Sequence, residues 1–453
     1  MRKILPVIAL CMLTQTLFSQ QGPLLQKFKY RIDHYRAVDL NLNGNGYFDQ
    51  SNLAGGNISN RSSSGNLGAA WYSIKSTDRI LLATTARFGV AFSGAKSNGT
   101  SSENSNTGFA VSPYVSVLNK WYRKNMFTEL GATGSSNNRY DKFAQTGSPD
   151  SKYKAGYYDF AISIGIGKGR LENITDMQNA LWLYKELQEA KLLSRSLSEE
   201  ELLQLGQTIT QGNNTRVLDT RRRTQFILKT ADDYFQTKAL LQKTDINYFS
   251  RLNDILFFAV NNQRSAGTEK YIRFISSVNG DSRKRNYNLA DKDEQKNANW
   301  SLVFSAGFGK YVPVSLTHQN NYGASIQLAA FSKEFTDKVF TGGTITSETK
   351  VKGALKQAGV NVFYQHAIYP NTRTIILFDL QSQAGYQHFG DESQLYGNVK
   401  ALATMSYFIS YRTRLIAIAG AYWQRNMYQP NQYFTLLPTG FSLNTSFGLE
   451  VSL

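Results

Sequence analysis

Side chains able to do chemistry are sparse in this 453-residue chain. Its four histidines, His34, His318, His366 and His388, lack the close, regular spacing with other ligands that a zinc site needs. The one cysteine, Cys11, lies in an apolar run at the N-terminus, which leaves the rest of the chain without a thiolate ligand or a disulfide. Lipidation of Cys11 would call for a small residue before it, and Leu10 is large. Gly165-Ile166-Gly167-Lys168-Gly169 has the glycine spacing of a phosphate-binding turn, yet no βαβ unit or acidic partner follows it. His388 with Asp391 is the nearest approach to a base and its orienting carboxylate, and both fall where a solvated surface loop is expected. No catalytic, cofactor or metal residues are assigned, and the chain is not expected to be an enzyme. The run Arg221-Arg222-Arg223 beside Asp219 could hold a carboxylate or phosphate through bidentate bonds, which makes it the candidate partner-binding surface. Its plain alternative is a solvated helix face.

Another polar set gains meaning only from the elements that carry it. Asp39, Arg87, Glu129, Asp159, Asp379, Gln381 and Lys400 fall in segments that alternate apolar and polar residues with period two. Tyr158, Phe160, Ile162, Ile164 and Ile166 oppose Asp159, Ala161, Ser163, Gly165 and Gly167; Trp300, Leu302, Phe304 and Phe308 oppose Ser301, Ser305, Gly307 and Gly309. Phe441, Leu443, Phe447, Leu449 and Val451 repeat the pattern near the C-terminus. In a soluble sandwich the face away from the core is charged and varied. Here it is mostly Ser, Gly, Asn and Gln, as in the lumen of a membrane barrel whose other face meets lipid. The seven residues are therefore candidates for the lumen lining.

Connection lengths point the same way, because such barrels have short periplasmic turns and long external loops. Long connections are expected at 48–63, 94–105, 134–152, 332–352, 389–397 and 426–438, and short ones near 76–78, 120–124, 311–314, 369–371 and 410–413. About 14 strands result, an even number as closure requires.

Between the sixth and seventh strands the period changes to 3.6. Met177, Ala180, Leu181, Tyr184 and Leu187 form one apolar stripe, and Leu202, Leu205 and Ile209 another. Thr175 with Gln178 and Ser198 with Glu201 have capping-box spacing. Two further helices are expected over 219–242 and 245–261. Each stripe must be buried, so the helices should bundle at the periplasmic mouth or partly inside it.

At the N-terminus, Arg2 and Lys3 precede an apolar run from Ile4 to Leu13, too short to span a bilayer, and then Leu17-Phe18-Ser19-Gln20. This is the pattern of a secretory signal peptide cleaved near Ser19 or Gln20. Lysine and arginine total 50 against 33 acidic residues, yet residues 171–260 hold 11 basic and 12 acidic residues. The surplus thus belongs to the strands and their connections, which would face an anionic leaflet, and nucleic acid is not an expected partner.

Gly165-Ile166-Gly167-Lys168-Gly169-Arg170, Asp219-Thr220-Arg221 and Arg264-Ser265-Ala266-Gly267 together resemble a group of uncharacterised outer-membrane barrel proteins of Bacteroidota, over most of the chain after residue 20. The resemblance implies a barrel with a periplasmic helical insertion and no established activity. The expectation is an all-β transmembrane antiparallel barrel of about 14 strands with an inserted α-helical subdomain, in the cell outer membrane. Its organisation would be a signal peptide over 1–20, a first barrel half over 21–170, helices over 171–263 and a second half over 264–453. Two functions fit: a porin-like passive or gated channel for small hydrophilic solutes, or a membrane-anchored scaffold whose helices dock a periplasmic protein or peptidoglycan. Outer-membrane lipid and lipopolysaccharide would surround the barrel, and no cofactor is expected.

Overall fold

Residues that alternate apolar and polar extend most easily as strands, and here they join one ladder. The computed structural model describes residues 21–453 except 54–55, 99–102, 216, 218–219, 259–263, 288–289, 411–412, 426, 429–435, 438 and 452–453. The expected signal peptide lies outside the described residues. Strands β1 (Ile32–Leu53), β2 (Gly56–Ser76), β3 (Ile80–Asn98), β4 (Glu103–Arg123), β5 (Met126–Gln145) and β6 (Ser148–Asn173) precede the helices. After them come β7 (Ser265–Asn286), β8 (Lys292–Pro313), β9 (His318–Thr341), β10 (Thr344–Asn371), β11 (Thr374–Phe389), β12 (Glu392–Ser410) and β13 (Thr413–Arg425). A two-residue ribbon, β14 (Met427–Tyr428) with β15 (Leu436–Leu437), leads to β16 (Gly440–Val451).

Every strand of the 14-stranded sheet pairs antiparallel with the next in sequence, β6 with β7 across the helical insertion and β13 with β16 across the ribbon. Among the described residues no ladder joins β1 to β16, so these strands bound a seam. The turn-side ends of strands distant in the sheet order nonetheless meet. Arg31, just before β1, donates from Nη1 to Glu172 of β6 at 2.9 Å, and Arg170 of β6 donates to the carbonyl of Thr77 between β2 and β3 at 2.6 Å. The sheet is curled, and the fold is an all-β transmembrane antiparallel barrel with an inserted helical unit. Its outward face carries large apolar side chains in the open, such as Ile162, Ile164 and Ile166 on β6 and Phe304 and Phe308 on β8. Such a face is stable against lipid, not water.

The expected long external loops are corrected. Where their residues are described, those connections are extensions of the strands, closed by tight turns at 146–147, 342–343 and 390–391. Gly342 and Gly343, both at positive φ (60° and 84°), turn β9 into β10, and Gly390 at φ 60° lies between β11 and β12. β10 alone is 28 residues long, where about 9–11 suffice to cross a membrane. Beyond the lipid band both faces become polar, so the alternation that marks a strand in sequence fades while the backbone ladder continues. Part of the 48–63, 94–105 and 426–438 connections lies outside the described residues.

The helical unit comprises α2 (Thr175–Glu189), α3 (Glu199–Asn214), α4 (Thr220–Thr237) and α5 (Ile246–Phe258). The capping box at Ser198 and Glu201 forms, each bonding the other's backbone N–H. The one expected at Thr175 and Gln178 does not. Ile174 occupies the N-cap position, and the Thr175 hydroxyl instead accepts the backbone N–H of Arg264 at 3.0 Å. Helix α4 ends earlier than expected, with Ala239 at φ 51° and Leu241 bridged to Leu193. Nor do the helices bury their stripes only against each other. A short helix before the barrel, α1 (Gly22–Lys27), adds Leu24 and Leu25, and Phe28 follows. These join Met177, Leu181, Leu205, Phe235 and Leu252 in one core, completed by Ala266 and Leu316 of the barrel. Gly22 is needed for the approach, since a Cβ there would come within 2.5 Å of the Val314 carbonyl oxygen.

Candidate functional site: the junction of helical cap and barrel

The chain leaves β6 and re-enters β7 through two glycines that only their missing side chain permits. Gly169 (φ 92°) and Gly267 (φ 121°) sit on adjoining strands, where a Cβ would lie 2.0 Å from the Thr268 carbonyl oxygen and 2.2 Å from that of Arg170. The ladder pairs Gly169 with Glu269 and Leu171 with Gly267, bringing together two of the three motifs on which the resemblance rested.

Arg264 closes this junction. Its side chain is 1% exposed and donates to Gln319 Oε1 (2.6 Å) and to the carbonyls of Leu316 (2.7 Å), Ser315 (2.5 Å) and His318 (2.8 Å), all at the β8–β9 turn. Tyr369 lies under the guanidinium, 4.9 Å from its centroid. Burial pushes the group down to about 10, so it stays charged at neutral pH with carbonyl dipoles around it. Elsewhere on the rim Arg373, at the β10–β11 turn, pairs with Asp254 of α5 at 2.5 Å. Gln207 of α3 donates to the Arg31 carbonyl at 2.7 Å, and Asn214 to the Tyr30 hydroxyl at 3.2 Å. The helices are thus a cap fastened to the rim at β1, β7, the β8–β9 turn and the β10–β11 turn. Within the cap Asp176 is buried and accepts from Thr210 (2.8 Å) and Asn213 (2.8 Å); desolvation raises its carboxyl despite these bonds.

Inside the barrel, just above the cap, four charged side chains of β4, β5 and β7 interlock. Glu129 accepts from Arg273 Nε at 2.6 Å and lies 3.3 Å from Lys120 Nζ, which also reaches Glu269 at 2.8 Å. Gly165 on β6 lies between Glu129 and Arg273 in the register, so no β6 side chain separates the pair. A Cβ on Gly167 would strike the Phe127 ring at 2.3 Å, so that glycine leaves room for the aromatic beneath Lys120.

All seven lumen candidates lie on the face opposite the exposed apolar side chains, but they do not form one constellation. Asp39 stands opposite Ala70; Arg87 lies between the rings of Tyr72 and Tyr114; Asp159 stands opposite Ser135 and Asn279. Asp379 accepts from Gln365 at 2.8 Å, and Gln381 stands opposite Lys400. Glu129 differs from a water-lining residue: its side chain is 2% exposed. Of the partner-binding candidates, Asp219 lies outside the described residues and Arg221 falls in the first turn of α4. Arg222 and Arg223 are exposed there, and Arg223 reaches the Asn213 carbonyl at 3.4 Å. His388 bonds Ser393 at 2.8 Å across the β11–β12 hairpin. Arg264, Lys120, Glu269, Arg273 and Gln319 escaped the sequence reading of the site. The one available signal was a charged residue standing at the entry of an otherwise apolar alternation.

No family model and no curated protein matches the chain. Among solved structures it is similar to the translocator domain of autotransporter NalP from Neisseria meningitidis, at 8% identity over 83% of this chain and 89% of that one, TM-score 0.25. It is similar also to the alcaligin outer membrane receptor FauA from Bordetella pertussis, at 10% identity over 93% of this chain, TM-score 0.35, where it spans 58% of the receptor. A third is the ferric yersiniabactin uptake receptor FyuA from Yersinia pestis, at 6% identity over 92% of this chain and 73% of that one, TM-score 0.28. With scores this low, the fold rests on the strand ladder itself.

Proposed function

We propose that this protein is an outer-membrane channel, porin-like in its polar wall, for small hydrophilic solutes, and that the helical cap narrows or closes its turn-side mouth. The observation that carries the reading is the fastening of the cap: a polar barrel interior ends under helices held to the rim by Arg264 and by the Asp254–Arg373 pair. Single-channel conductance in planar bilayers tests it, comparing the full chain with Asp254→Asn/Arg373→Gln. Low conductance that rises when the rim pair is removed is the expected result. Silence in both proteins, with folding intact, would sink the channel. Orientation is checked separately: Gly342→Cys should label from outside intact cells, and Lys243→Cys should not.

A second reading is a scaffold that docks a periplasmic protein or peptidoglycan. The exposure of Arg222 and Arg223 on the cap favours it. Reversing both charges should then remove a partner from cross-linked pull-downs and leave conductance unchanged.

A further inference from the structure

On the outward face, beyond Tyr158 and from the level of Tyr140 onward, like charges stand directly opposite one another. Lys142 pairs in register with Lys152 across β5–β6, and Lys154 with Lys284 across β6–β7. Such cross-strand repulsion destabilises a sheet. Lys142 is balanced by Asp150 at 2.6 Å and Lys284 by Glu294 at 3.0 Å, but Lys152, Lys154 and Lys296 have no carboxylate within ion-pair distance among the described residues. Lys154, Lys284 and Lys296, with the single carboxylate of Glu294, edge an open concavity of about 610 Å³. Its floor stays low because Gly156 and Ser282 carry almost no side chain there, and Phe109 and Val111 give it an apolar flank.

We propose that this concavity binds the phosphate of an outer-leaflet lipid headgroup, of the kind lipid A carries. The proposal rests on the outer-membrane reading above. A phosphate offers several strong acceptors to converging ammonium groups and would turn the lysine repulsion into attraction. A lipid is favoured over free phosphate because the site opens outward beside the lipid-facing band, where headgroups and aromatic girdles share one level, and because its flank is apolar.

The test uses the full chain, refolded in detergent and shown to be folded by circular dichroism, with native mass spectrometry counting retained lipid. Probes are lipid A with its phosphates, dephosphorylated lipid A and inorganic phosphate. Phosphorylated lipid A should be retained, and Lys154→Gln/Lys284→Gln/Lys296→Gln should weaken retention at least tenfold. Lys338→Gln/Lys350→Gln, on the same face of β9 and β10 beside Glu348, should leave it unchanged. Equal retention by the triple variant, or of dephosphorylated lipid A, would overturn the site. Inorganic phosphate competing as well as lipid A would overturn the lipid assignment. None of these readouts depends on conductance or cell location, so cell fractionation that finds the protein elsewhere would fail the outer-membrane reading alone.

Discussion

Arg264 at the cap junction and Asp379 on the inner wall are the two ends of one continuous run of hydrogen bonds. Arg264 Nε donates to Gln319 Oε1 (2.6 Å), Gln319 Nε2 to Asn321 Oδ1 (2.7 Å), Asn321 Nδ2 to Gln365 Oε1 (2.6 Å), and Gln365 Nε2 to Asp379 Oδ1 (2.8 Å). Each amide donates towards the carboxylate, so the charges at the two ends fix the direction of the chain and every amide dipole in it.

Arg264→Met would remove the donor end and leave the carbonyls of Ser315 and Leu316 short of a partner in a buried place, while that of His318 keeps the N–H groups of Val314 and Ser315. Unsatisfied buried acceptors cost roughly 1–3 kcal/mol each. The variant is expected to release the cap before the barrel unfolds. Limited proteolysis read by mass spectrometry should show new cuts between residues 175 and 258 while the strands stay protected. An unchanged cleavage pattern would show that the cap is held mainly by its apolar core.

Asp176 sets the pH response of the cap. Burial raises its folded-state pKa above the ordinary carboxylate value, against the bonds from Thr210 and Asn213. Its favourable contribution is therefore full only below the unfolded-state value, and is lost as pH rises through the higher folded one. Above the folded-state value the buried carboxylate opposes folding. Asp176→Asn keeps an acceptor for Asn213 and a polar partner for Thr210, and should raise the cap's melting temperature at pH 7–8 with little change in acid. Parallel pH profiles for the two proteins would refute this.

Adjacent residues on β6 separate the two faces of the wall. Ile162 is 43% exposed on the outward face, whereas the Ser163 hydroxyl points inward beside Gly131. Ile162→Arg should cost about 2–4 kcal/mol in assembly, as a charge at mid-membrane does. Ser163→Arg should assemble. Equal yields of folded barrel in vesicles would refute this assignment of the faces.

How far such features could be read in advance depends on whether their cause is local. The alternation around Ile162 and the Ser198–Glu201 box each specify their structure within a few residues, and both form. Thr175 and Gln178 have the same spacing, yet the Thr175 hydroxyl is drawn to Arg264, 89 residues away. α1 escaped notice because six residues carry too little periodicity to show a helix; it is held by a core gathered from the whole cap. The long hairpins were missed for the opposite reason. Adjacent residues such as Thr349 and Lys350 are exposed on opposite faces, so only backbone bonds, which leave no mark on composition, reveal the strand.

Lys120, Glu129, Glu269 and Arg273 form one ion network inside the barrel above the cap. Were the lumen wide and wet at this level, the four would act as surface ion pairs, worth roughly 0–1 kcal/mol. Instead the side chains of Lys120 and Glu129 are 8% and 2% exposed, and the Glu129 carboxylate is shared by Lys120 and Arg273. Removing one member of a buried ion network leaves an unpaired charge out of water, at a cost of about 3–5 kcal/mol. Glu129→Gln is therefore expected to lower the unfolding free energy of the refolded barrel by that order, measured by urea titration in vesicles. It should also weaken the hold on the Lys120 side chain and widen the constriction, so that conductance rises in a protein whose cap is still fastened. A loss below about 1 kcal/mol would show instead that water reaches the network, and in the proposed channel the narrow point would then lie in the cap alone.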